Sequence, residues 1–238
     1  MLGRGNPLQF AAAGATIARP RQEYRGAIHT LPEVAAMRYF RLLPVVLLAL
    51  TPAARADDTK EFLDRANWEG LEQYWKVEGT SVTGHAEKDP GFNTFLCSKK
   101  QYTDFELSFK VRLKDGKGNS GVQVRSKVVD PKKYVVAGPQ CDAGAQYWGS
   151  LYGEKFGGMM QASKPEMVKK KVKPADFNDY HIRVVGKHVT IKINGETFND
   201  GDFEKMPESG IIAFQLHQGG PMTVEFTDVK FTDLSKKK

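Results

Sequence analysis

The 238-residue sequence predicts an all-β protein, a sandwich or barrel of antiparallel strands. The stretch 102–125 alternates apolar and polar residues with a period of two on both sides of a Lys- and Gly-rich turn, which is typical of strands that bury one face. Asn194-Gly195 stands between two strand-like segments and predicts a tight hairpin. Strand-like segments recur without intervening helical patterns, which disfavours a parallel α/β sheet.

Twelve segments have the composition of short strands and are separated by turn residues. In chain order the predicted strands are 74–79, 81–87, 94–98, 104–114, 120–129, 134–136, 147–152, 158–161, 179–185, 189–193, 210–217 and 223–232. A short helix is predicted at 59–66. The segment 163–174, with three consecutive lysines and two prolines, is predicted to be a surface loop at the rim of the fold.

The alternation also assigns polar side chains to the faces of strands. Gln123 and Arg125 alternate with core-facing valines, so they are predicted to face away from the core. Gln215 and His217 alternate with core-facing residues of a late strand and share its non-core face. If these strands are neighbours, their hydrogen-bonding side chains line one surface of a sheet, as a sugar-binding cleft requires.

The positive charge of the chain does not indicate nucleic-acid binding. The formal charge is +7, but residues 1–56 contain seven arginines and two glutamates and so carry +5 of it. The terminal Lys236-Lys237-Lys238 supplies more than the remaining +2. The rest of the chain is near neutral and shows no basic stripe of the kind that a phosphate backbone requires.

The N-terminal region has the pattern of an export signal. Arg38 and Arg41 follow Met37, an apolar run comes next at 42–50, and Ala54-Arg55-Ala56 offers a signal-peptidase site. The run is too short to span a bilayer, so no membrane span is expected. We expect 1–36 to be an extension upstream of the true start or a disordered leader. We further expect 37–56 to be a signal peptide cleaved near Ala56, 57–235 the folded domain and 236–238 a basic tail, which places the mature protein in the periplasm or outside the cell.

Two cysteines in an oxidising compartment could form a disulfide. A disulfide between Cys97 and Cys141 would stabilise the folded state by about 4 kcal/mol by the chain-entropy estimate for a loop of this length. The alternative is two separate buried thiols, because sequence does not fix the distance between them. A metal site built on both is disfavoured, since neither has ligand spacing such as C-x-x-C.

Nine segments in order resemble the 3-keto-disaccharide hydrolase domain, a family formerly catalogued as a domain of unknown function. They are 75–79, 93–96, 102–107, 118–125, 147–152, 178–183, 193–195, 210–217 and 224–229. The resemblance implies a concanavalin A-like jelly roll of two antiparallel sheets with the ligand on the concave one. It also implies a hydrolase that cleaves the glycosidic bond of sugars already oxidised to the 3-keto form, with an oligosaccharide or 3-keto-glycoside as ligand.

The chemistry of a 3-keto-glycoside indicates which residues to look for. A ketone at C3 acidifies the C2 proton, so the site needs a base near C2, a group that stabilises the enolate oxygen and an acid at the leaving group. The catalytic candidates are Arg125 for the enolate, His217 as base or acid, and the carboxylates of Asp142 and Glu106. The predicted substrate-binding residues are Asn119, Gln123, Gln140 and Gln215 for hydroxyl groups, and Trp148 and Tyr152 for stacking on a sugar ring.

Each candidate also has a structural alternative. Arg125 could instead form a cross-strand ion pair, for example with Glu106. His217 could be a structural imidazole, and Trp148 and Tyr152 could be core aromatic residues. No tight cluster in the sequence predicts a metal, although Asp142, Glu106 or His217 could hold a divalent cation across strands.

Two other functions are compatible with such a fold. A non-catalytic carbohydrate-binding module or lectin would use the same sandwich, because jelly rolls host both roles. A laminarinase-type glycosidase would carry two carboxylates in a Glu-x-Asp-x-x-Glu strand, and the sequence contains no such run. The sequence leaves the sugar, the linkage and the oligomeric state open.

Overall fold

The structure is a computed structural model and describes residues 56–235. The predicted extension at 1–36, the signal peptide up to Arg55 and the basic tail at 236–238 lie outside the described residues. Within 56–235, no helix is long and apolar enough to cross a lipid bilayer.

The described residues form two short helices and fourteen strands. The strands are β1 (Trp68–Glu69), β2 (Trp75–Glu78), β3 (Ser81–Ala86), β4 (Thr94–Ser98), β5 (Phe105–Leu113), β6 (Asn119–Asp130), β7 (Val135–Gly144), β8 (Leu151–Glu154), β9 (Gly158–Gln161), β10 (Asn178–Val185), β11 (His188–Ile193), β12 (Glu196–Asp202), β13 (Ile211–Leu216) and β14 (Met222–Asp233). The first sheet has the order β1-β4-β13-β6-β7-β8-β9 and the second has the order β12-β11-β10-β5-β14-β3-β2. All strand pairs are antiparallel, so the predicted all-β jelly-roll sandwich is confirmed.

The hydrophobic core lies between the two sheets. Along β5 the apolar residues predicted to share a face are buried and alternate with more exposed polar ones. The ring of Phe109 stacks on that of Tyr180 with centroids 5.2 Å apart and meets Phe214 of the first sheet edge-on at 6.5 Å. These aromatic contacts join the sheets face to face, as expected for a sandwich.

The two helices pack at the periphery of the sandwich. Helix α1 (Ala56–Leu63) covers one end of the core through Phe62, whose ring stacks on Phe231 at 4.3 Å. Helix α2 (Pro165–Lys171) occupies part of the segment predicted to be a loop, so that prediction is wrong. Proline at the first helical position and lysines in the last turn are the signals that favour a helix there.

Strand β7 is much longer than the segment 134–136 that the sequence predicts. All ten of its residues are buried, including several small and polar ones. Burial on both faces removes the apolar–polar alternation, which is why the strand is hard to recognise in the sequence. The two-residue strand β1 was also not predicted, whereas β12 is the second strand of the hairpin predicted at Asn194-Gly195, which is confirmed.

The outer face of the first sheet is partly covered. A second apolar cluster lies there, and Val128 and Tyr134, on either side of the β6–β7 turn, pack against it. Its buried members are Phe95, Cys97, Val136, Ile211 and Ala213. The part of the face beyond this cluster, toward the start of β6 and the end of β7, carries polar side chains and is the floor of a cleft.

The two cysteines lie on opposite faces of the first sheet. Cys97 belongs to the outer cluster, whereas Cys141 belongs to the core between the sheets. Strands β13 and β6 separate β4 from β7, so the two Cα atoms are about three strand spacings or ~14 Å apart, well beyond the reach of a disulfide. Both thiols are free and buried, so of the two alternatives the disulfide is wrong and the two separate buried thiols are confirmed. Burial raises the pKa of each thiol.

Candidate functional site

A cleft of about 400 Å³ opens on the outer face of the first sheet. It is lined by Asn93, Asn119, Gln140, Asp142, Tyr147, Tyr152, Glu154, Met159, Gln215 and His217. Six of the ten predicted site residues, namely Asn119, Gln140, Asp142, Tyr152, Gln215 and His217, are among these, so the structure brings them together. Their roles remain predictions.

The register of three neighbouring strands builds the floor of the cleft. Gly121 on β6 pairs with Asp142 on β7. Phe214 on β13 pairs with Val122, so the next residue of β13, Gln215, lies beside Gly121 on the side opposite Asp142. A Cβ atom at Gly121 would approach the Gln140 side chain to 2.9 Å. The glycine therefore leaves room for the Gln140 amide to lie between Gln215 and Asp142.

A chain of hydrogen bonds runs along this floor. Nε2 of Gln140 donates to Oδ1 of Asp142 at 2.7 Å and to Oε1 of Gln215 at 3.1 Å. The Gln140 amide also contacts the amide of Gln123 at 2.9 Å. Gln123 is fully buried beneath the cleft and does not line it, so its predicted contact with substrate is wrong. Its side chain instead packs against Gln140 and supports it from below.

Asp142 is the ionisable group at the bottom of the cleft, and its side chain is almost entirely buried. Burial raises the pKa of its carboxyl to about 7, the hydrogen bond from Gln140 lowers it in part, and the negative charge of Glu154 raises it further. Oδ2 of Asp142 receives no hydrogen bond from residues 56–235, so it can take or give a proton. A carboxyl that titrates near neutral pH in a cleft is suited to general acid–base chemistry.

The backbone around Asp142 is held from three sides. Its N–H donates to Ser150 O at 3.0 Å, and its carbonyl oxygen accepts from the N–H of Gly149 at 2.9 Å. The hydroxyl of Tyr180, which comes from the second sheet, donates to the same carbonyl oxygen at 2.9 Å. The Asp142 carboxyl is therefore fixed by the core of the sandwich as well as by its own strand.

Aromatic and apolar side chains form the walls of the cleft. Tyr147 and Met159 are unusually exposed for large hydrophobic residues, at 40% and 42%, and Tyr152 on β8 lies beside them. Trp148 is buried in the core at 2% exposure, so the prediction that it stacks on a sugar is wrong. Its neighbour Tyr147 lines the cleft instead.

The mouth of the cleft carries polar groups from separate loops. Nδ2 of Asn93 donates to Glu154 Oε1 at 3.4 Å, and Oδ1 of Asn93 accepts from the backbone N–H of Gln218. Nδ1 of His217 hydrogen-bonds the carbonyl oxygen of Gln218. Because a carbonyl oxygen only accepts, Nδ1 carries the hydrogen, and Nε2 is the nitrogen available as a base in the neutral ring.

Arg125 does not reach the cleft. It lies at a bulge of β6 with a φ of 46° and is only 2% exposed. Its guanidinium donates to the carbonyl oxygens of Thr103, Gly186 and Pro207 at 2.5–3.0 Å and to the carboxylate of Asp104 at 2.8 Å. Arg125 therefore ties three loops together at the opposite end of β6, and the prediction that it stabilises an enolate is wrong.

Glu106 lies on the second sheet, not in the cleft. Its carboxylate accepts from Nε of Arg183 on the neighbouring strand at 3.0 Å. A cation shared by Asp142, Glu106 and His217 is therefore not assembled by this fold. More generally, the described residues bring together no group of three or more His, Cys, Asp or Glu side chains that could hold a metal ion.

Four cleft residues were missed by the sequence analysis: Asn93, Tyr147, Glu154 and Met159. Glu154 stands two residues after Tyr152 on β8, so the period-two rule that selects Tyr152 also places Glu154 on the same face. Asn93 and Tyr147 lie outside regular strands, and no periodic pattern marks them.

The comparisons with known proteins identify the family of the chain. The family described as a 3-keto-alpha-glucoside-1,2-lyase-like domain matches residues 58–232, and the chain belongs to that family. No curated protein matches the sequence.

Solved structures share the fold at low identity. A candidate glycosyl hydrolase from Parabacteroides distasonis is 19% identical, with a TM-score of 0.53 over 72% of this chain and 90% of that one. A carbohydrate-binding module, CBM66 from Bacillus subtilis, is 15% identical, with a TM-score of 0.52 over 70% of this chain and 95% of that one. At these identities the likeness supports the jelly-roll fold and no more.

Proposed function

We propose that this protein is an exported enzyme that cleaves the glycosidic bond of 3-keto-glycosides. The observation that carries the proposal is Asp142, a buried carboxyl with a pKa of about 7 on the floor of an aromatic-walled cleft. A base of that pKa can remove a proton acidified by a neighbouring ketone at neutral pH. The family to which the chain belongs supports the choice of a 3-keto-sugar as substrate.

The proposed reaction proceeds by elimination followed by addition of water. Asp142 Oδ2 takes the C2 proton, and the C–H electron pair forms a C2–C3 double bond while the ketone oxygen becomes an enolate. The enolate collapses to restore the C3 ketone, a C1–C2 double bond forms, and the C1–O bond breaks with its electrons on the leaving oxygen. Water then adds at C1 and a proton returns to C2, so that the net change is hydrolysis.

The mouth of the cleft supplies candidates for the remaining proton transfers. His217 and Glu154 lie there, and both can exchange protons with a leaving oxygen or a water molecule. Tyr147 and Tyr152 can pack against the faces of the sugar ring, and Asn119 can bind its hydroxyl groups. All of them line the same cleft as Asp142, over which C2 must lie in this mechanism.

The second candidate is a non-catalytic carbohydrate-binding module. The cleft is compatible with this function, because amides and aromatic walls are also what a binding cleft requires, and CBM66, a carbohydrate-binding module, shares the fold. A buried carboxyl held ready at a pKa of about 7 has no use in simple binding, and for that reason we rank the enzyme first.

The test is incubation of the purified protein in deuterated water with 3-keto-trehalose, a 3-keto-glucoside and the unoxidised sugars. We expect 3-keto-glucose to be released only from the oxidised substrates, with deuterium at C2. D142N serves as the control for the base, and EDTA and added divalent metal ions test for a cation. Saturable sugar binding without turnover would assign the chain to the binding class instead.

We also propose that the protein acts in the periplasm or outside the cell. The signal-like pattern at 37–56 supports this placement. Expression of the full chain in a Gram-negative host, with fractionation and N-terminal sequencing, should yield a mature form that begins at Asp57.

A further inference from the structure

Gln215 presents an unusual hydrogen-bond donor at the floor of the cleft. The residue is fully buried, and its Nε2 finds no hydrogen-bond partner among residues 56–235. A buried amide N–H without a partner is unfavourable, because it has lost its hydrogen bonds to water and gained none in return. Because Gln215 lines the cleft, a bound ligand with an acceptor atom would satisfy this group.

The hydrogen-bond chain along the floor sets the direction in which Gln215 points. An ionised Asp142 can only accept, so Gln140 must turn its Nε2 toward Asp142. The same Nε2 then also donates to Oε1 of Gln215, which leaves the Nε2 of Gln215 as the free end of the chain. When Asp142 is in its base form, Gln215 therefore offers a donor, not an acceptor, to the ligand.

The Asp142 carboxyl and the Gln215 amide are close enough to contact two neighbouring atoms of one ligand. Gln215 and Asp142 flank Gly121 in one row across three strands, with Cα atoms about 10 Å apart. Their side chains converge on Gln140 between them. A ligand lying over Gln140 contacts the free oxygen of Asp142 on one side and the free N–H of Gln215 on the other.

We propose that Nε2 of Gln215 binds the C3 ketone oxygen of the substrate and stabilises the enolate oxygen that forms there when Asp142 takes the C2 proton. This inference rests on the proposed function and assigns to a neutral amide the role that the sequence analysis gave to Arg125. As the C–H pair becomes the C2–C3 double bond, the carbonyl π electrons move onto O3, and the Gln215 hydrogen bond becomes charge-assisted. The interaction is thus stronger with the transition state and the enolate than with the neutral ketone, which lowers the barrier to enolate formation.

The test uses 1,5-anhydro-3-keto-glucitol, which has the C3 ketone but no leaving group at C1. In deuterated water, exchange of its C2 proton reports enolate formation alone, and NMR separates it from exchange at C4 and from the uncatalysed rate. We compare the wild type with Q215M and Q215L, which remove the donor and keep an apolar side chain of similar size. The matched control is Q73M, the same substitution at an exposed residue that does not line the cleft.

We expect Q215M and Q215L to slow C2 exchange by roughly 10²- to 10³-fold, as does removal of one oxyanion donor elsewhere. The KM for the probe should change much less than kcat, because negative charge develops on O3 only after binding, in the transition state for proton transfer and in the enolate that it yields. Q73M should exchange at the wild-type rate. Exchange at the wild-type rate in a folded Q215M or Q215L, or no C2 exchange in the wild type, would overturn the assignment.

The role of Gln215 and the proposed cleavage of 3-keto-glycosides can each fail without the other, and the experiments distinguish the two cases. If exchange depends on Gln215 but no 3-keto-glycoside is cleaved, the assignment stands and the proposed bond cleavage fails. If 3-keto-glycosides are cleaved equally well by wild type and Q215M, the assignment fails and the proposed activity stands.

Discussion

The hydroxyl of Tyr180 donates a 2.9 Å hydrogen bond to the backbone carbonyl oxygen of Asp142, across the core of the sandwich. Tyr180 belongs to β10 of the second sheet, whereas Asp142 belongs to β7 of the first. The floor of the cleft is therefore anchored to the opposite sheet, and the position of the Asp142 carboxyl depends on core packing as well as on local hydrogen bonds.

Replacing Tyr180 by Phe should weaken the fold slightly and leave the site in place. The Asp142 carbonyl keeps its hydrogen bond from Gly149 N–H, and the stacking on Phe109 is retained. We expect a loss of about 1 kcal/mol in the free energy of unfolding, a decrease in Tm of roughly 2–4 °C and activity within about tenfold of the wild type. Thermal unfolding and steady-state kinetics measure both. A large loss of activity at normal stability would instead make Tyr180 a positioning residue for Asp142.

The activity should follow the ionisation of Asp142. As the base, Asp142 must be ionised, so kcat/KM for a 3-keto-glycoside should rise with pH and level off above an apparent pKa near 7. A pH–rate profile measures this, and D142N should remove both the rise and most of the activity. A profile that falls above pH 7 with no rise below it would show that the protonated form of the group is required.

The same carboxyl should make the fold less stable at high pH. Its pKa is raised from 3.8 to about 7 in the folded state, so between these values the folded state binds a proton that the unfolded state has lost. Stability therefore falls as the pH rises through this window, and the penalty is complete above pH 7 and absent below pH 3.8.

D142N removes this penalty, because Asn cannot ionise and its side-chain oxygen can still accept from Gln140. The stability of D142N relative to wild type should increase between pH 4 and pH 8, by up to about 4 kcal/mol for a shift of about three pKa units. Urea unfolding of both proteins at the two pH values measures the difference, in which the effects of other titrating groups cancel. A constant difference between the two proteins would contradict the raised pKa.

The alternation in the sequence predicts faces well but does not say which sheet a face belongs to. β5 has the predicted core face, yet Glu106 on its other face lies on the second sheet and far from His217. The order of strands in the first sheet, with β13 between β4 and β6, is set by long-range pairing that no local pattern records. Gln140, Gln215 and Asp142 meet only because of that order.

Alternation also fails where a strand bulges. In a regular strand Arg125 would point to the outer face of the sheet, because it alternates with Val124. Its φ of 46° and the bulge in the pairing of β6 with its neighbours instead turn the side chain toward the loops at the end of the sandwich. A single residue in the left-handed region is enough to break the period of two. The sequence offers no sign of it, because arginine is not a residue that favours this conformation.

Arg125→Ala should destabilise the protein. If Arg125 were a catalytic residue, as the sequence predicts, the substitution would instead reduce activity and leave stability unchanged. The substitution leaves three backbone carbonyl oxygens and the Asp104 carboxylate without their shared donor. We expect a loss of about 3 kcal/mol or more, and Arg125→Lys should also be destabilising because an ammonium cannot reach all four acceptors. Arg183→Ala, which breaks the more exposed pair with Glu106, is the control and should cost less than about 1 kcal/mol. Equal unfolding free energies for the two alanine variants would contradict the structural role of Arg125.

Tyr147 and Trp148 are neighbours in sequence with opposite environments, and their alanine variants should separate binding from stability. Tyr147 is 40% exposed on the wall of the cleft, so Tyr147→Ala should weaken sugar binding by roughly 5- to 10-fold through lost stacking. Its free energy of unfolding should stay within about 0.5 kcal/mol of the wild type. Trp148 is buried in the core, so Trp148→Ala should cost about 3–5 kcal/mol.

Calorimetric titration with a 3-keto-glucoside, in the D142N background to prevent turnover, measures the first effect, and urea unfolding measures the second. The two variants control for each other, because each removes one large aromatic ring from the same short segment. If Tyr147→Ala binds as tightly as its parent, the aromatic wall does not contact the sugar, and the ligand must lie closer to Tyr152 and Met159. If Trp148→Ala unfolds at the same urea concentration as its parent while losing affinity, the assignment of the two rings to wall and core is reversed.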